Sequence, residues 1–381
     1  MPPTPDKTRD RFVFIDGLRA LAALGVMLHH YYISEFQKTF DTRLPRFVLL
    51  PFMGDTQRVQ IFFVISGFVI AFSLRSTVVT AASAFNFILR RQVRLDPAYW
   101  LCLLIVSLYV LGQAMTHPGY WPLVPRPRTI LVNFLYLQNI LNREQILSVS
   151  WSLCLEVQLY LVYILLLLLV QRSIVWLRLP KQREGIAYVA LMAPLMFLSL
   201  WSRRHVPMDI YFITSWCVFG LGALIYWTMD NKISPATLAG FGAGIVGWSV
   251  WNKDAHALWC VGVASIIYAS SLTGGLKTWL RQPFFQYFGR ISYSLFLVHR
   301  DLGHALMRLG IRLTGLSLSS ALLWYVLSCL ASIGVAQLLY VSVERPSMNL
   351  ASRLKKRPAK APDPADVAVT DLLPAEAPSA S

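Results

Sequence analysis

The sequence has few charged residues, and this shortage limits what kind of protein it can be. Asp, Glu, Lys and Arg together make up 14% of the 381 residues, whereas soluble domains carry about 25%. Hydrophobic residues make up 56% of the chain, which is more than a soluble core can bury. The composition therefore excludes an ordinary soluble protein and predicts an integral membrane protein.

Acidic residues are scarcer than basic ones, 19 against 35, which gives a net charge of +16. In a soluble protein this excess would suggest nucleic-acid binding, but no zinc-finger or basic-helix pattern is present. The basic residues cluster between apolar runs, as they do in loops that face anionic cytoplasmic lipid. We therefore expect membrane lipid as a partner and no nucleic acid.

Cysteine is also rare, and its five residues form no CxxC pair. All five fall within apolar runs, so we expect small buried hydrophobes rather than disulfides or metal ligands. No metal site is predicted. We also expect no cleavable signal peptide, because the first apolar run is too long and Asp16 and Arg19 interrupt it.

Apolar runs of about 20 residues, the length needed to cross a bilayer, recur along the chain. They predict an all-α, polytopic membrane bundle of about ten transmembrane helices. The shorter stretch 129–141 is expected to be re-entrant or interfacial. The predicted spans are residues 14–36, 59–75, 97–115, 148–171, 186–202, 209–228, 236–251, 256–274, 288–311 and 319–343.

The distribution of Lys and Arg predicts how these spans are oriented. Ten spans place both termini on one side, and basic residues are more frequent in the segments on that side, which favours the cytoplasm. Residues 1–12 are then a cytoplasmic segment and 13–346 the membrane domain. Residues 347–381 form a cytoplasmic tail, whose Pro- and Ala-rich, charged composition is typical of disorder.

Ionisable residues inside a span are costly, so each is a functional candidate. In the first span, Arg19 and His30 are eleven residues apart, which places them on one helix face about 16 Å apart along the axis. A cation near the cytoplasmic mouth and a deeper imidazole suit a long anionic ligand with a buried reactive end. A snorkelling arginine and a hydrogen-bonded core histidine would give the same pattern.

Two further groups lie beside or within later spans. Arg91 and Arg94, in FILRRQVRLDPAYW before the third span, are neighbours on a helical surface and suit phosphate recognition. An ordinary positive-inside flank is the alternative. Glu156 lies in the fourth span with Tyr160 one turn on, and could orient a histidine or an acceptor hydroxyl, or pair with a buried arginine. The Ser66-Gly67 pair of the second span is expected to serve close helix packing.

The ninth and tenth spans also carry polar residues. Ser292 and His299 share a helix face, and Tyr293 adds a hydroxyl group. Anchoring at the membrane interface is the alternative for the neighbouring Arg300-Asp301 pair. The segment Glu344-Arg345-Pro346 is expected to end the last helix at the cytoplasmic surface, because proline disfavours helix at the preceding residue.

Six segments together resemble the acyltransferase-3 family of bacterial multi-pass membrane acyltransferases. They are DGLRALAALGVMLHHYY, VQIFFVISGFVI, LRRQVRLDPAYW, WSLCLEVQLY, GRISYSLFLVH and VERP, and they occur in the family's order between residues 16 and 346. The family has a SYSLYLWH-like segment, whereas this chain reads SYSLFLVH, with Phe296 and Val298 at the positions where aromatic residues are usual. After His299 the chain has Arg300-Asp301, where a Trp-Pro pair is frequent in the family. The second departure bears on acceptor specificity more than on chemistry.

The resemblance implies an acyltransferase of the bacterial inner membrane that moves acyl groups other than aminoacyl groups. The donor would be acyl-CoA, most often acetyl-CoA, and the acceptor a hydroxyl of a surface polysaccharide, lipid-linked glycan or glycosylated metabolite. The family's motifs fall on nine residues. The expected catalytic residues are His30 and Glu156, the acyl-CoA-binding residues Arg19, Arg91 and Arg94, and the acceptor-binding residues Tyr160, Ser292, Tyr293 and His299.

Within this reading we expect His30 to be the general base, since histidine titrates near working pH. A nearby carboxylate such as Glu156 could fix its tautomer. A covalent route through acyl-His30 or acyl-Ser292 stays open. The alternative from another class is a transporter or channel, because buried His, Arg and Glu also line ion paths, although no repeated half with broken helices is visible.

Overall fold

The structure, a computed structural model, describes residues 12–53, 57–75, 77–207 and 210–354, apart from the side chains of residues 57, 118 and 182. These residues are largely helical and contain no strand, which confirms the all-α prediction for the described part of the chain. The helices are α1 Val13–Tyr32, α2 Gln37–Arg43, α3 Arg46–Leu49, α4 Gln57–Ser73, α5 Ala81–Thr116, α6 Pro127–Phe134, α7 Ser150–Trp176, α8 Glu184–Ser202, α9 Ile213–Met229, α10 Pro235–Asn252, α11 Ala255–Leu272, α12 Gly275–Thr278, α13 Pro283–Thr314, α14 Leu318–Leu339 and α15 Arg345–Arg353.

Within the described residues, six stretches are long and apolar enough to cross a membrane, by length and composition. They are α1, α5, α7, α8, α11 and the continuous stretch Leu318–Arg353. The helices α4 and α9 are apolar but shorter. Each predicted span overlaps a long helix, with α10 and α13 accounting for the remaining two, but a total of ten crossings stays a prediction.

The third predicted span begins later than the helix that contains it. Thr80 and Ser83 form a capping box, in which each side chain bonds the other residue's backbone N–H at 3.2 and 2.8 Å, so α5 starts well before residue 97. The basic segment therefore lies on the helix itself, with Pro97 in the helix interior. Pro97 removes one helical hydrogen bond, and packing of α5 against α13 and α15 helps to hold the helix together.

The prediction that Glu344-Arg345-Pro346 ends the last helix is wrong. The helix passes from α14 through a π-helical turn, Tyr340–Glu344, into α15. Pro346 occupies the first turn of α15, where a missing N–H costs little. Helix thus continues to Arg353, beyond the predicted start of the tail at residue 347, while residues 355–381 lie outside the described residues.

Helices α1 and α13 run parallel and pack at backbone distance. Asp16 lies beside Gly289 and, further along both helices, Tyr31 lies beside Gly303. A Cβ atom on Gly289 would clash with the backbone of Asp16, so this glycine permits the close approach. The Tyr31 hydroxyl donates to the carbonyl oxygen of His299 at 2.9 Å, which fixes the last turn of α1 against the middle of α13.

Helices α4 and α9 form a second close pair. A Cβ atom on Gly67 would clash with the carbonyl oxygen of Phe219, and one on Gly222 would clash with that of Val64. This agrees with the close packing expected at Gly67, whereas the Ser66 hydroxyl bonds Glu156 of α7. In the stretch 129–141, the structure has only the end of the eight-residue helix α6 followed by turns, which is too short to cross a bilayer.

Candidate functional site

Two histidines from different helices meet at one end of α1. His30, in the last turn of α1, places its Nδ1 atom 3.0 Å from Nε2 of His299. His299 is only 1% exposed, and its Nδ1 lies 3.0 Å from the Leu295 carbonyl oxygen and 2.9 Å from that of Phe296. His30 is partly exposed, so one face of this histidine pair remains open to a ligand.

The adjacent histidine, His29, has a different environment. It is 5% exposed, and its Nδ1 donates to the carbonyl oxygen of Phe52 at 2.7 Å, since a carbonyl can only accept. Successive helical residues point about 100° apart, so His29 faces the segment after α3 while His30 faces α13. This arrangement favours His30 over His29 as the reactive residue.

The residues that follow His299 bind the segment before α7. Arg300 donates to the carbonyl oxygen of Ser148 at 3.2 Å, and the Ser148 hydroxyl donates to Asp301 at 2.9 Å. One turn on, His304 lies 3.5 Å from the carboxylate of Glu35. The Arg300-Asp301 pair, considered above as an interface anchor, therefore ties α13 to the loop beside the histidine pair.

A carboxylate and an arginine meet between α5 and α7. Arg91 Nη2 lies 3.1 Å from Glu156 Oε1, and both side chains are 20% exposed. The same carboxylate oxygen accepts hydrogen bonds from the Ser66 hydroxyl, at 2.8 Å, and from the Tyr160 hydroxyl. The Arg91 guanidinium also lies over the Tyr160 ring, 3.8 Å from its centroid. Glu156 thus holds Arg91 in one orientation.

Two more arginines extend this group towards the N-terminal half of α1. Arg94 interacts electrostatically with Arg19 and with the carboxylates of Glu344, Glu156 and Asp16. Within the described residues, neither Arg19 nor Arg94 forms a hydrogen bond or ion pair. The Nε atoms of Arg91 and Arg94 are buried and have no hydrogen-bond partner among these residues. We call Arg19, Arg91, Arg94, Glu156 and Glu344 the arginine cluster.

Glu344 is a member that the sequence reading missed. It is 1% exposed and accepts a hydrogen bond from the Ser294 hydroxyl at 2.6 Å. It ends the π-helical turn, and such turns are frequent at functional sites. A carboxylate directly after a long apolar run was the available signal, because buried acids are costly.

The other predicted acceptor residues do not join the histidine pair. The Ser292 hydroxyl donates to the carbonyl oxygen of Gly289 in its own helix, at 2.9 Å. The Tyr293 hydroxyl donates to Leu95 of α5 at 2.9 Å, and Tyr160 belongs with Glu156. Glu156 was also considered as the group that fixes the His30 tautomer, but the partner of His30 in the structure is His299.

The described residues contain no group of three or more His, Cys, Asp or Glu side chains arranged to hold a metal ion. The five cysteines are free: Cys102, Cys154, Cys217, Cys260 and Cys329. Four of them are buried. This agrees with the expectation that they act as small hydrophobes.

A separate ion pair lies where α8 ends and α11 begins. Arg203 Nε is 2.7 Å from Asp254 Oδ2, and the Arg203 side chain is 1% exposed. Burial alone would raise the pKa of Asp254, but the hydrogen bond and charge of Arg203 outweigh burial and lower that pKa below its ordinary value of 3.8. Arg203 also donates to the Thr214 carbonyl at 2.9 Å, so this pair links three helix ends.

Comparison with known proteins supports one family. The family model described as an acyltransferase domain, acyltransferase-3, matches residues 12–341. The protein named Acyltransferase MdmB, from Streptomyces mycarofaciens, is 30% identical over 397 aligned residues, which cover 93% of this chain and 96% of that protein. No solved structure matches the chain. The matched region contains the histidine pair and all of the arginine cluster except Glu344.

Proposed function

The chain belongs to the acyltransferase-3 family, and from that premise we propose that it transfers an acetyl group from acetyl-CoA to a hydroxyl of a carbohydrate acceptor. It is an acyltransferase with several apolar helices suited to a membrane. The proposal adds the donor, the acceptor class and the residues that act on each.

One observation carries the proposal: α1 holds a basic group and a reactive group on the same face. Arg19 and His30 are eleven residues apart, or about 16 Å along the axis. Arg19 belongs to the arginine cluster, and His30 contacts His299. Acyl-CoA has the matching polarity, with anionic phosphates at one end and the thioester at the other end of a linear arm.

The arginine cluster suits the phosphate end of this donor. Guanidinium groups bind phosphate through paired, charge-assisted hydrogen bonds. Three arginines lie together in the cluster, and the carboxylates that interact with Arg94 are those of Glu344, Glu156 and Asp16. The Nε atoms of Arg91 and Arg94 have no hydrogen-bond partner in the described part of the chain, and buried donors of this kind are normally satisfied. Phosphate oxygens would satisfy the guanidinium groups once bound.

The histidine pair suits the thioester end, with His30 as general base. Its Nε2 atom takes the proton of the acceptor hydroxyl while the hydroxyl oxygen attacks the thioester carbonyl. The C–S bond then breaks, and the leaving thiolate of CoA takes the proton from Nε2. The products are the O-acyl ester and CoA with a free thiol, and His30 returns to its neutral form.

Direct transfer is the proposed route rather than an acyl-Ser292 intermediate. A serine nucleophile needs a base within hydrogen-bond reach. The Ser292 hydroxyl is fully buried and donates to the Gly289 carbonyl of its own helix. These contacts favour a packing role for Ser292 and leave His30 as the group that faces a substrate.

Purified protein in lipid nanodiscs tests the proposal. The probe is acetyl-CoA labelled with ¹⁴C in the acetyl group, offered with a panel of glycosides and a matched panel of alcohols that lack a sugar. We expect label to appear as an acetyl ester on a glycoside, together with stoichiometric free CoA. Label found only on the sugar-free alcohols would overturn the acceptor class, and absence of acetyl-CoA binding would overturn the donor.

We also propose that the protein lies in the bacterial inner membrane with both termini in the cytoplasm. The excess of basic residues in segments on that side supports this orientation. Reporter fusions at the two ends test it, using a reporter that is active only in the cytoplasm and one that is active only outside it. Opposite results at the two ends would require an odd number of crossings.

A further inference from the structure

We propose that His299 is a positioning residue that holds a proton on Nδ1 of His30 and thereby leaves Nε2 of His30 free to accept the substrate proton. The inference rests on the proposed role of His30 as the general base. It gives His299 a role different from the acceptor binding expected from its motif. The hydrogen-bond partners of the two rings carry it.

The hydrogen bonds of His299 determine which of its ring nitrogens is protonated. Its Nδ1 atom lies within 3.0 Å of the Leu295 and Phe296 carbonyl oxygens, and carbonyl oxygens only accept hydrogen bonds. Nδ1 must therefore carry a proton. In a neutral imidazole the other nitrogen is then an acceptor, so Nε2 of His299 presents a lone pair to its neighbour.

The lone pair on Nε2 of His299 determines which nitrogen of His30 is protonated. Nε2 of His299 lies 3.0 Å from Nδ1 of His30, and two lone pairs at that distance would repel each other. Nδ1 of His30 must supply the proton. Neutral His30 then has a bare Nε2, which is the atom that a general base needs. Free histidine in water prefers the opposite tautomer, with the proton on Nε2, so the protein imposes this choice.

The reversed arrangement would need a second proton on His299. That proton would place a positive charge on a side chain that is 1% exposed. Besides the two rings themselves, the side chains with the largest electrostatic effect on the pair are His29 from α1 and Arg300 and His304 from α13. None of these is an acid, so no negative charge among them would compensate for the buried cation.

The surrounding contacts keep His299 in place. Tyr31 is fully buried, donates to the His299 carbonyl oxygen at 2.9 Å and lies 2.6 Å from the Ser332 hydroxyl of α14. The Phe296 ring also lies against His299, with 5.8 Å between ring centroids. Tyr31 therefore ties the backbone at His299 to α1 and α14, while Leu295 and Phe296 of α13 hold the ring that orients His30, as a positioning residue requires.

The same contact supports the reaction after proton uptake. When Nε2 of His30 accepts the hydroxyl proton, the ring becomes a cation that still donates through Nδ1 to Nε2 of His299. This hydrogen bond is then charge-assisted and stronger than in the resting state. His299 keeps its own proton on Nδ1 throughout, and the substrate proton leaves through Nε2 of His30 to the CoA thiolate.

Nitrogen NMR of the wild-type protein reads the tautomer directly. Solid-state spectra of ¹⁵N-histidine-labelled protein in lipid bilayers distinguish a protonated from a bare nitrogen in each ring. The seven histidines are assigned from the signals lost in His30→Gln and His299→Gln protein. We expect both rings to be neutral with protonated Nδ1. A protonated Nε2 on neutral His30, or a cationic His299, would overturn the inference.

Two near-isosteric substitutions separate positioning from space filling. His299→Asn places an amide near the Nδ1 position and removes the acceptor for His30. His299→Gln places an amide near the Nε2 position, and its oxygen can accept from Nδ1 of His30. We expect kcat to fall at least about tenfold in the Asn variant, within the up to about 10⁴-fold loss caused by a wrong tautomer in a serine protease triad. The Gln variant should recover much of the lost kcat. The KM for acetyl-CoA should be unchanged in both variants.

The outcomes distinguish this inference from the proposed function. Full transfer activity in His30→Ala protein would end the proposed base role, whatever the spectra show. Equal kcat in the Asn and Gln variants would overturn His299 as a positioning residue while leaving His30 as the base. If a His299 variant fails to fold, the signals lost between wild-type and His30→Gln protein still identify His30 and decide its tautomer.

Discussion

The two ends of α1 satisfy their polar groups in different ways. At the His30 end, both ring nitrogens of His299 have hydrogen-bond partners: Nδ1 lies close to two carbonyl oxygens, and Nε2 lies close to Nδ1 of His30. At the Arg19 end, the guanidinium groups share carboxylates, and the Nε atoms of Arg91 and Arg94 have no hydrogen-bond partner. One end is a closed network, and the other is incomplete within the described residues.

This difference indicates that the two ends of α1 suit different tasks. A closed network fixes one orientation and one tautomer, which suits a group that must meet a reacting atom. An incomplete network of cations has donors to spare, which suits recognition of an anion. Substitutions at the His30 end should therefore change kcat, and those at the Arg19 end should change donor affinity.

The largest expected effect is at the closed end. His30→Ala removes the proposed base, so kcat should fall by roughly 10²–10⁴-fold, as is typical of general bases. Acetyl-CoA binding, measured by calorimetry in nanodiscs, should not change, because His30 lies about 16 Å from Arg19.

His29→Gln is the matched control for this change. His29 contacts Phe52 rather than α13, so its replacement should alter kcat much less. If His29→Gln protein lost transfer activity while His30→Ala protein remained active, His29 rather than His30 would be the base at this end of α1.

The next largest effect is expected at the incomplete end. Charge-assisted hydrogen bonds are worth about 1.5–3 kcal/mol each, so replacing both Arg91 and Arg94 with alanine should weaken acetyl-CoA binding by roughly 100-fold or more. Lysine at both positions should recover only part of the affinity, because it lacks the planar guanidinium group. The Kd for acetyl-CoA measures both effects.

Arg90→Ala provides a control from the same segment. Arg90 donates to the Asn86 carbonyl of its own helix, at 3.4 Å, and has no contact with Glu156 among the described residues. Its loss should leave the Kd for acetyl-CoA close to that of the wild type. Equal losses in Arg90→Ala and Arg91→Ala protein would mean that net basic charge matters rather than the arginine cluster.

Much of the fold follows from the sequence because lipid makes the helix obligatory. A backbone in hydrocarbon must satisfy its own hydrogen bonds, so each long apolar run predicts a helix. The helix ends follow less well, since they depend on local contacts. The Thr80 capping box starts α5 early, and the π-helical turn before Arg345 carries the last helix past Pro346.

The sequence predicts which site residues share a face of one helix, but it does not predict the contacts between helices. Spacing places Arg19 and His30 on one face of α1, but the partner of His30 depends on how α1 packs against α13. That packing rests on glycines such as Gly289, which the sequence does not pair with any helix. Glu344 was missed because the proline that follows it favoured a helix end.

A smaller effect on donor affinity is expected from Ser66, which contacts the arginine cluster at the Arg19 end. Ser66→Ala removes one of the hydrogen bonds that hold Glu156 and so loosens Arg91. We expect KM for acetyl-CoA to rise by about tenfold or less, consistent with a hydrogen bond to a charged group, and kcat to change less. Ser73→Ala is the control, because this exposed serine of the same helix bonds only the Val69 carbonyl among the described residues, at 2.7 Å. A change confined to kcat would place Ser66 with the histidine pair instead.

The smallest effect on catalysis is expected from a charge pair that belongs to neither end. Asp254→Asn keeps the hydrogen bond that caps α11 through Ala257, but it removes the charge that pairs with buried Arg203. Transfer per folded molecule should stay unchanged, while the free energy of unfolding should fall by about 1–3 kcal/mol.

Because Arg203 lowers the pKa of Asp254 below 3.8, the pair stabilises the fold above that pH and ceases to do so as pH falls through the folded-state pKa. The difference in melting temperature between wild type and variant should therefore be constant from neutral pH to about pH 5 and should shrink in stronger acid. A loss of kcat without a loss of stability would instead connect this pair to the reaction.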